Sequence, residues 1–529
     1  MLTRAENLID SRPNAGHDRE PLLSLSQDSR EYGISCINVE TDRPGQRIEP
    51  PKRQIGVVSA VFIIFNRIIG TGIFATPSTI LGFSGSVGLS LVMWIVGAVI
   101  AAVGMQVYII WGTALPHNGG EKNYLEYLFP KPKQLITSLY AANAVLLAWA
   151  AGNSLVFAEY TLASIFSTPT PSTAIFSPVR VVAFLCISGV VLLHGLHIPT
   201  GLRLQNILGS LKIGILLIVV AAGFVALTGN LQDGAKRPGN FDSWDVIWEG
   251  SKSGGSVICA CLYSVIWSYI GFSNANYALS EMENPARTLR IAGPIAIITV
   301  TIFYILCNIA YFAAATKEDI TDSGRLVAAL LFKNVWGNNT ERVLNAFVAL
   351  SALGNVLSVS FSQGRVNQTL GQEDILPFSK FWASNWPAKA PLAGLGLHWL
   401  TCIVVIFTLP AGDAYNFVIN VISYPLAVIN ATISFGLIYL SFRNLAPVKS
   451  LSPPVDANSA TSDLVFAPTK SLLIPTLVFG AANVFLFIVP LTKPPPGVEP
   501  YEHLPYWIHA AGGWAVFLMG GIWWVCRYR

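Results

Sequence analysis

Charge is what this chain has least of. Only 12% of its 529 residues are Asp, Glu, Lys or Arg, against 53% hydrophobic, and no soluble core needs that much apolar sequence. Cysteine is sparse too. There are seven, an odd number, and Cys186, Cys259, Cys261, Cys307, Cys402 and Cys526 all fall in apolar runs. Cys259 and Cys261 point in different directions on a helix, so neither a disulfide framework nor a metal site is indicated. The chain has no HExxH motif, no GxSxG elbow and no carboxylate pair inside an apolar run, which argues against an enzyme. No cofactor, metal or nucleic-acid partner is implied.

What is present is a series of runs long enough to cross a bilayer, each needing about 20 apolar residues for roughly 30 Å of hydrocarbon. Twelve candidates lie near residues 55–81, 86–114, 135–166, 178–198, 204–228, 254–280, 291–315, 341–364, 391–410, 413–441, 469–491 and 506–526. The chain is therefore expected to be an all-α polytopic membrane protein. Residues 1–53 are polar and rich in Pro, Asp, Arg and Ser, and read as a disordered cytoplasmic tail; Asp18 to Leu23 within it fits an acidic dileucine sorting signal. Spans one to ten occupy 54–441, a Ser- and Pro-containing loop follows at 442–468, and two accessory spans lie in 469–529. With both termini placed in the cytoplasm and the tail counted only from Arg43, 18 Lys and Arg residues fall on that side and 9 on the other, most of these in two long loops. The positive-inside bias favours that orientation.

The chain is organised around NRIIGTGIFATP, Asn66 to Pro77. Glycine costs roughly 1 kcal/mol relative to alanine in a helix interior, yet Gly70 and Gly72 flank Thr71 in the middle of span one. Two readings are open. Small residues can serve close helix packing. Alternatively the helix unwinds, and free N–H groups on one side and free carbonyls on the other face a protected cavity, a pair of polarities that suits a zwitterion. Span six contains a second candidate discontinuity in SVIWSYIGFSNANYALSEMENPARTLR, with Gly271 beside Ser268, Ser273, Asn274 and Asn276. Interrupted segments five spans apart are the pattern of a transporter's central site.

Other residues carry weaker signals. Lys212 lies inside span five, where an ammonium costs roughly 2.5–3.5 kcal/mol on insertion scales and implies a buried partner, a structural cation or a proton-handling role. Glu159 in span three reads as a side chain snorkelling to the outer interface. Residues 116–133 hold a Gly119-Gly120 turn and a short helix with Tyr124, Tyr127 and Leu128 on one face, expected to lie on the membrane surface. Of the N-x-Ser/Thr matches, Asn338 alone falls on the outer side and is the candidate glycan acceptor.

The runs NRIIGTGIF, WGTALPHNGGEKNYLEY and VIWSYIGFSNANYALSEMENPARTL resemble the amino acid–polyamine–organocation superfamily, its L-type amino acid transporters and, within these, the fungal high-affinity methionine permease group. The likeness covers nearly all of residues 55–441. It implies two inverted five-helix repeats with helices one and six unwound, plus two accessory helices. Gly70, Thr71 and Gly72 would take the substrate carboxylate through backbone N–H groups and the Thr71 hydroxyl. The carbonyls of Ile68, Trp267 and Ile270 would take the ammonium, and Trp267 would be the outer aromatic gate. Lys212 matches a lysine that stands near the first break in relatives and is a candidate for proton coupling. Arg67 matches the methionine-permease group as a gating residue, with an ion pair to an acid on the cytoplasmic side as its expected role. Asn153, Ser273 and Asn355 are candidate walls of an apolar side-chain slot.

The expected activity is import of a neutral L-amino acid, methionine first, by proton symport and alternating access across the plasma membrane, an internal membrane being the other location. The rivals are an amino acid exchanger, a cystine or broad neutral-amino-acid carrier, and a sensor that binds without transporting. A heavy-chain partner like that of animal L-type transporters is not indicated, because no cysteine falls in the loop after span three.

Overall fold

A computed structural model describes residues 55–443 and 469–529, apart from 118, 148, 167–173, 175, 385, 387–389 and 411–412. The tail at 1–53 with its dileucine motif and most of the 442–468 loop lie outside the described residues. Within them the chain is helical, as an apolar segment in hydrocarbon must be to satisfy its own backbone. The β-type pairing among them is one isolated parallel bridge, Ile55 to Met282.

Among the described residues, ten helical segments are long and apolar enough to span a membrane, from Val57–Ala75 to Ile508–Tyr528. The other two expected crossings are shorter apolar helices. Span nine is Leu392–Thr408, 17 residues, which at 1.5 Å per residue rises about 25 Å and meets the lower limit for crossing. Span six is short because it is broken. Gly255–Tyr269 is followed by an extended Ile270 and a left-handed Gly271 (φ 118°), and the chain resumes as the 3-10 helix Phe272–Glu281.

The packing repeats with a period of five spans. Three packs on four as eight packs on nine; one packs on seven as six packs on two; and one meets six, two meets seven and three meets eight. Exchanging spans one to five with spans six to ten, in order, carries these contacts into one another, the signature of a twofold internal repeat. An odd number of crossings per repeat inverts the second relative to the first. Spans eleven and twelve stand outside this scheme, packed on span ten. The C-terminal end of span twelve is clamped: the indoles of Trp523 and Trp524 donate to the carbonyls of Ile375 and Lys133 at 2.5 and 2.8 Å, and Arg527 pairs with Asp374 at 2.5 Å.

Three features depart from the sequence reading. Span three is interrupted between Leu135–Leu146 and Ala151–Phe166, with no glycine or proline at 147–150 to announce it. The outer connection between spans seven and eight is not a plain loop but holds the helices Lys317–Asp322 and Val327–Trp336, the first capped by the Thr316 hydroxyl accepting from the Asp319 N–H at 3.1 Å. The helix after span two, Glu121–Leu128, is packed into the protein by more than its aromatic face: Glu121, Lys122, Tyr124 and Leu125 are all buried. Its polar side chains find partners inside, so burying them costs less than the amphipathic pattern implies.

Candidate functional site

Span one unwinds where the two glycines require it. Val57–Ile68 ends in an extended Ile69 (φ −69°, ψ 96°), and the helix restarts as Gly72–Ala75 and Pro77–Ser84. Four consecutive carbonyls near the end of the first segment accept from side chains of other spans. The Lys212 ammonium donates to Asn66 O at 3.0 Å and Ile69 O at 2.6 Å. Asn355 Nδ2 reaches Arg67 O at 3.3 Å, and the Tyr304 hydroxyl reaches Ile68 O at 3.1 Å. No side chain caps the restart at Thr71. Thr71 donates instead to Asn153 Oδ1 at 2.6 Å, and Asn153 donates to Asn355 Oδ1 at 2.9 Å. Asn153 and Asn355, expected as pocket walls, are thus seated on the break itself.

The two breaks touch. A Cβ on Gly72 would lie 2.4 Å from Ser268 Oγ and 2.8 Å from its Cα, and one on Gly271 would lie 2.4 Å from Arg67 Cγ. Tyr304 joins them, because its hydroxyl also lies 2.7 Å from Ser268 O. Of the three carbonyls expected to face an ammonium, Ile68 O is approached by Tyr304 and Trp267 O accepts from the Ile270 N–H at 3.1 Å. Each keeps a second lone pair. Ser273 is not with Asn153 and Asn355; it lies on the inner side of break two, lining a cavity with Ile270, Gly271 and Glu121.

The charges beside the breaks differ in sign. Arg67 and Lys212 flank break one, and among the described residues no carboxylate lies within 4.0 Å of either. The ion pair expected of Arg67 is therefore not found; its stem packs over Gly271, which has no side chain to hold it off. Glu121 borders break two. Its carboxylate accepts from the Tyr108 hydroxyl at 2.7 Å and from the Tyr277 hydroxyl. The neighbouring Lys122 is engaged elsewhere, with Glu373 at 2.6 Å and Glu126 at 3.5 Å.

Outside break one, Trp267 is buried at the end of the first half of span six, and Tyr415 of span ten lies against it and Thr71. The Arg325 guanidinium stacks over the Tyr415 ring, 5.4 Å from its centroid, and pairs with Glu159, Nε standing 2.8 Å from Oε2. Glu159 is therefore a half-buried ion-pair partner rather than a side chain snorkelling to the interface. On the inner side, Ile55 bridges Met282, and Glu283 N–H donates to Ile55 O at 3.3 Å. Asn338 is exposed at the first turn of Asn338–Gln372.

Sequence reasoning missed Tyr304, Tyr415, Arg325 and Glu121. Nothing distinguishes the two tyrosines from fifteen others in the chain. Glu121 carried a usable signal: it follows two glycines and opens a helix too short to need an acidic face.

Comparison with known proteins places these features in context. A family model described as amino acid permease matches residues 55–516. The chain is 44% identical over 512 residues to the high-affinity methionine permease of Saccharomyces cerevisiae, covering 95% of this chain and 85% of that one. It is 31% identical over 402 residues to the low-affinity methionine permease of the same yeast, covering 75% and 71%. The b(0,+)-type amino acid transporter 1 of Mus musculus is 28% identical over 452 residues, 84% of each chain.

Proposed function

The chain belongs to the amino acid permease family, and from that premise we propose that it imports a neutral L-amino acid, methionine first, by proton symport with alternating access. The observation that carries this reading is the juxtaposition of two unwound segments of opposite electrostatic character. A substrate carboxylate would sit at the uncapped start of Gly72–Ala75, where N–H groups point outward from the helix and Arg67 and Lys212 add positive charge. The ammonium would turn toward the remaining lone pairs of the carbonyls of Ile68, Trp267 and Ile270. Trp267 and Tyr415 would close over the substrate, and the Arg325–Glu159 pair would close over them. Lys212 is the proposed coupling group, since its ammonium holds two carbonyls of break one and a change of its charge alters that hold. Methionine is proposed from the likeness to two methionine permeases.

The plasma membrane, with both termini cytoplasmic, is the proposed location, and Asn338 the proposed outer glycan acceptor. The test is uptake of labelled L-methionine into a permease-deficient host across external pH. Uptake should rise as the outside is acidified and fall when a protonophore collapses the gradient. Uptake indifferent to pH, with efflux of preloaded label accelerated by external amino acid, would establish exchange instead.

A further inference from the structure

We propose, resting on the symport reading above, that Glu121 is a second proton-binding station beside the coupling role given to Lys212, reached along two cavities on the span-ten side of span six rather than through the substrate site. Two cavities lie along that side. The outer one is lined by Ser264, Asn416, Asn420 and His509, and the inner one by Tyr108, Glu121, Ser273, Ser423, Asn430 and Asn483; Tyr263 lines both. The inner one has on its wall a buried polar atom with no hydrogen-bond partner in the protein, Ser423 Oγ. A buried hydroxyl on a cavity wall is ordinarily satisfied by water, so the inner cavity, where Ser423 stands with Glu121, Ser273, Asn430 and Asn483, has a place for water beside the carboxyl.

The hydrogen bonds around Glu121 serve either protonation state. When the carboxyl is ionised, Tyr108 and Tyr277 each donate to one of its oxygens. The Tyr108 hydroxyl also lies 2.9 Å from Asn430 Oδ1, and it has a single hydrogen to give. When a proton from cavity water binds Glu121, the new carboxyl O–H donates to the Tyr108 oxygen and the Tyr108 hydrogen turns to Asn430. The carboxyl keeps its partners in both states, and Asn430 Oδ1 receives the Tyr108 hydrogen only when Glu121 is protonated. The proton leaves to cytoplasmic water when the inner half of span six, which carries Tyr277, draws away and exposes the carboxyl.

The titratable groups facing Glu121 are Tyr108 from span two, Tyr124 from its own helix, Tyr140 from span three and Tyr277 from span six. Span ten presents the neutral Asn430. Of the nearby cations, Lys122 is paired with Glu126 and Glu373, and Arg67 faces Tyr277. Burial raises the carboxyl above its ordinary range, while the hydrogen bonds from Tyr277 and Tyr108 pull it back.

The test uses the full-length protein in proteoliposomes with labelled L-methionine and two readouts: accumulation driven by an acid exterior, and counterflow with methionine on both sides and no pH gradient. Glu121→Gln should keep counterflow and lose accumulation, and Glu121→Asp, which keeps the carboxyl, should accumulate with a displaced pH midpoint. A Glu121→Gln protein that accumulates like its parent overturns the assignment. So does one that loses both activities, since the role would then be structural. A parent that exchanges without accumulating overturns the symport reading itself, and a parent inactive in both assays overturns methionine as substrate; this proposal falls with either.

Discussion

The two broken spans are finished in different ways. At break one, four carbonyls in a row are held by side chains of spans five, seven and eight, and the charges alongside are positive. At break two, the chain turns through a left-handed glycine, resumes as a 3-10 helix and borders a cavity containing a carboxylate. Freed backbone groups in hydrocarbon cost several kcal/mol each unless satisfied, so break one is stabilised by fastening and break two by access to a polar space. A fastened break suits recognition of a fixed head group. A break beside open volume suits movement, and the 3-10 geometry is itself characteristic of helix stretches that act as hinges.

The difference can be broken most severely where the segments meet. Gly72→Val would drive a side chain into the Ser268 backbone; overpacking costs about 1–3 kcal/mol or more, so uptake should fall by about tenfold to a hundredfold with the protein still at the cell surface by labelling. Undiminished uptake would mean that the two breaks need not touch. Next in size is Lys212→Ala, which leaves Asn66 O and Ile69 O without their charged donor. Such hydrogen bonds contribute about 1.5–3 kcal/mol each, so accumulation against a methionine gradient should be lost and the melting temperature lowered. A variant that still concentrates substrate would exclude Lys212 from coupling. The mildest is Tyr304→Phe, which removes the one hydroxyl shared by Ile68 O and Ser268 O. At about 1 kcal/mol it should weaken apparent affinity roughly fivefold while counterflow persists. An unchanged affinity would make the breaks energetically independent.

What was legible in the sequence follows from these contrasts. Gly70, Gly72 and Gly271 stand out because glycine is costly in a spanning helix, and Lys212 because a lone charge in an apolar run needs a reason. The twelve crossings were visible as hydropathy. Partnerships were not: which of many tyrosines reaches Ile68 O, or that Glu159 meets Arg325 across 166 positions, depends on how distant segments are brought together. The surroundings of Arg67 were hidden for the same reason: an arginine beside a helix break invites an acidic partner, whereas among the described residues its stem is found against a glycine two hundred residues away. The helix at Glu121–Leu128 misled differently. Its alternation of polar and aromatic residues suggests that the charged positions face water, and only the convergence of Tyr108, Tyr277 and Glu373 on them shows that they face the protein.

The clamp at the C-terminal end of span twelve has a practical corollary. Cys526 sits on that anchored turn and is exposed, whereas the five other cysteines among the described residues are buried. A spin label attached there would give distance measurements a stationary origin, against which a second label near Tyr277 could register displacement of the inner half of span six during turnover.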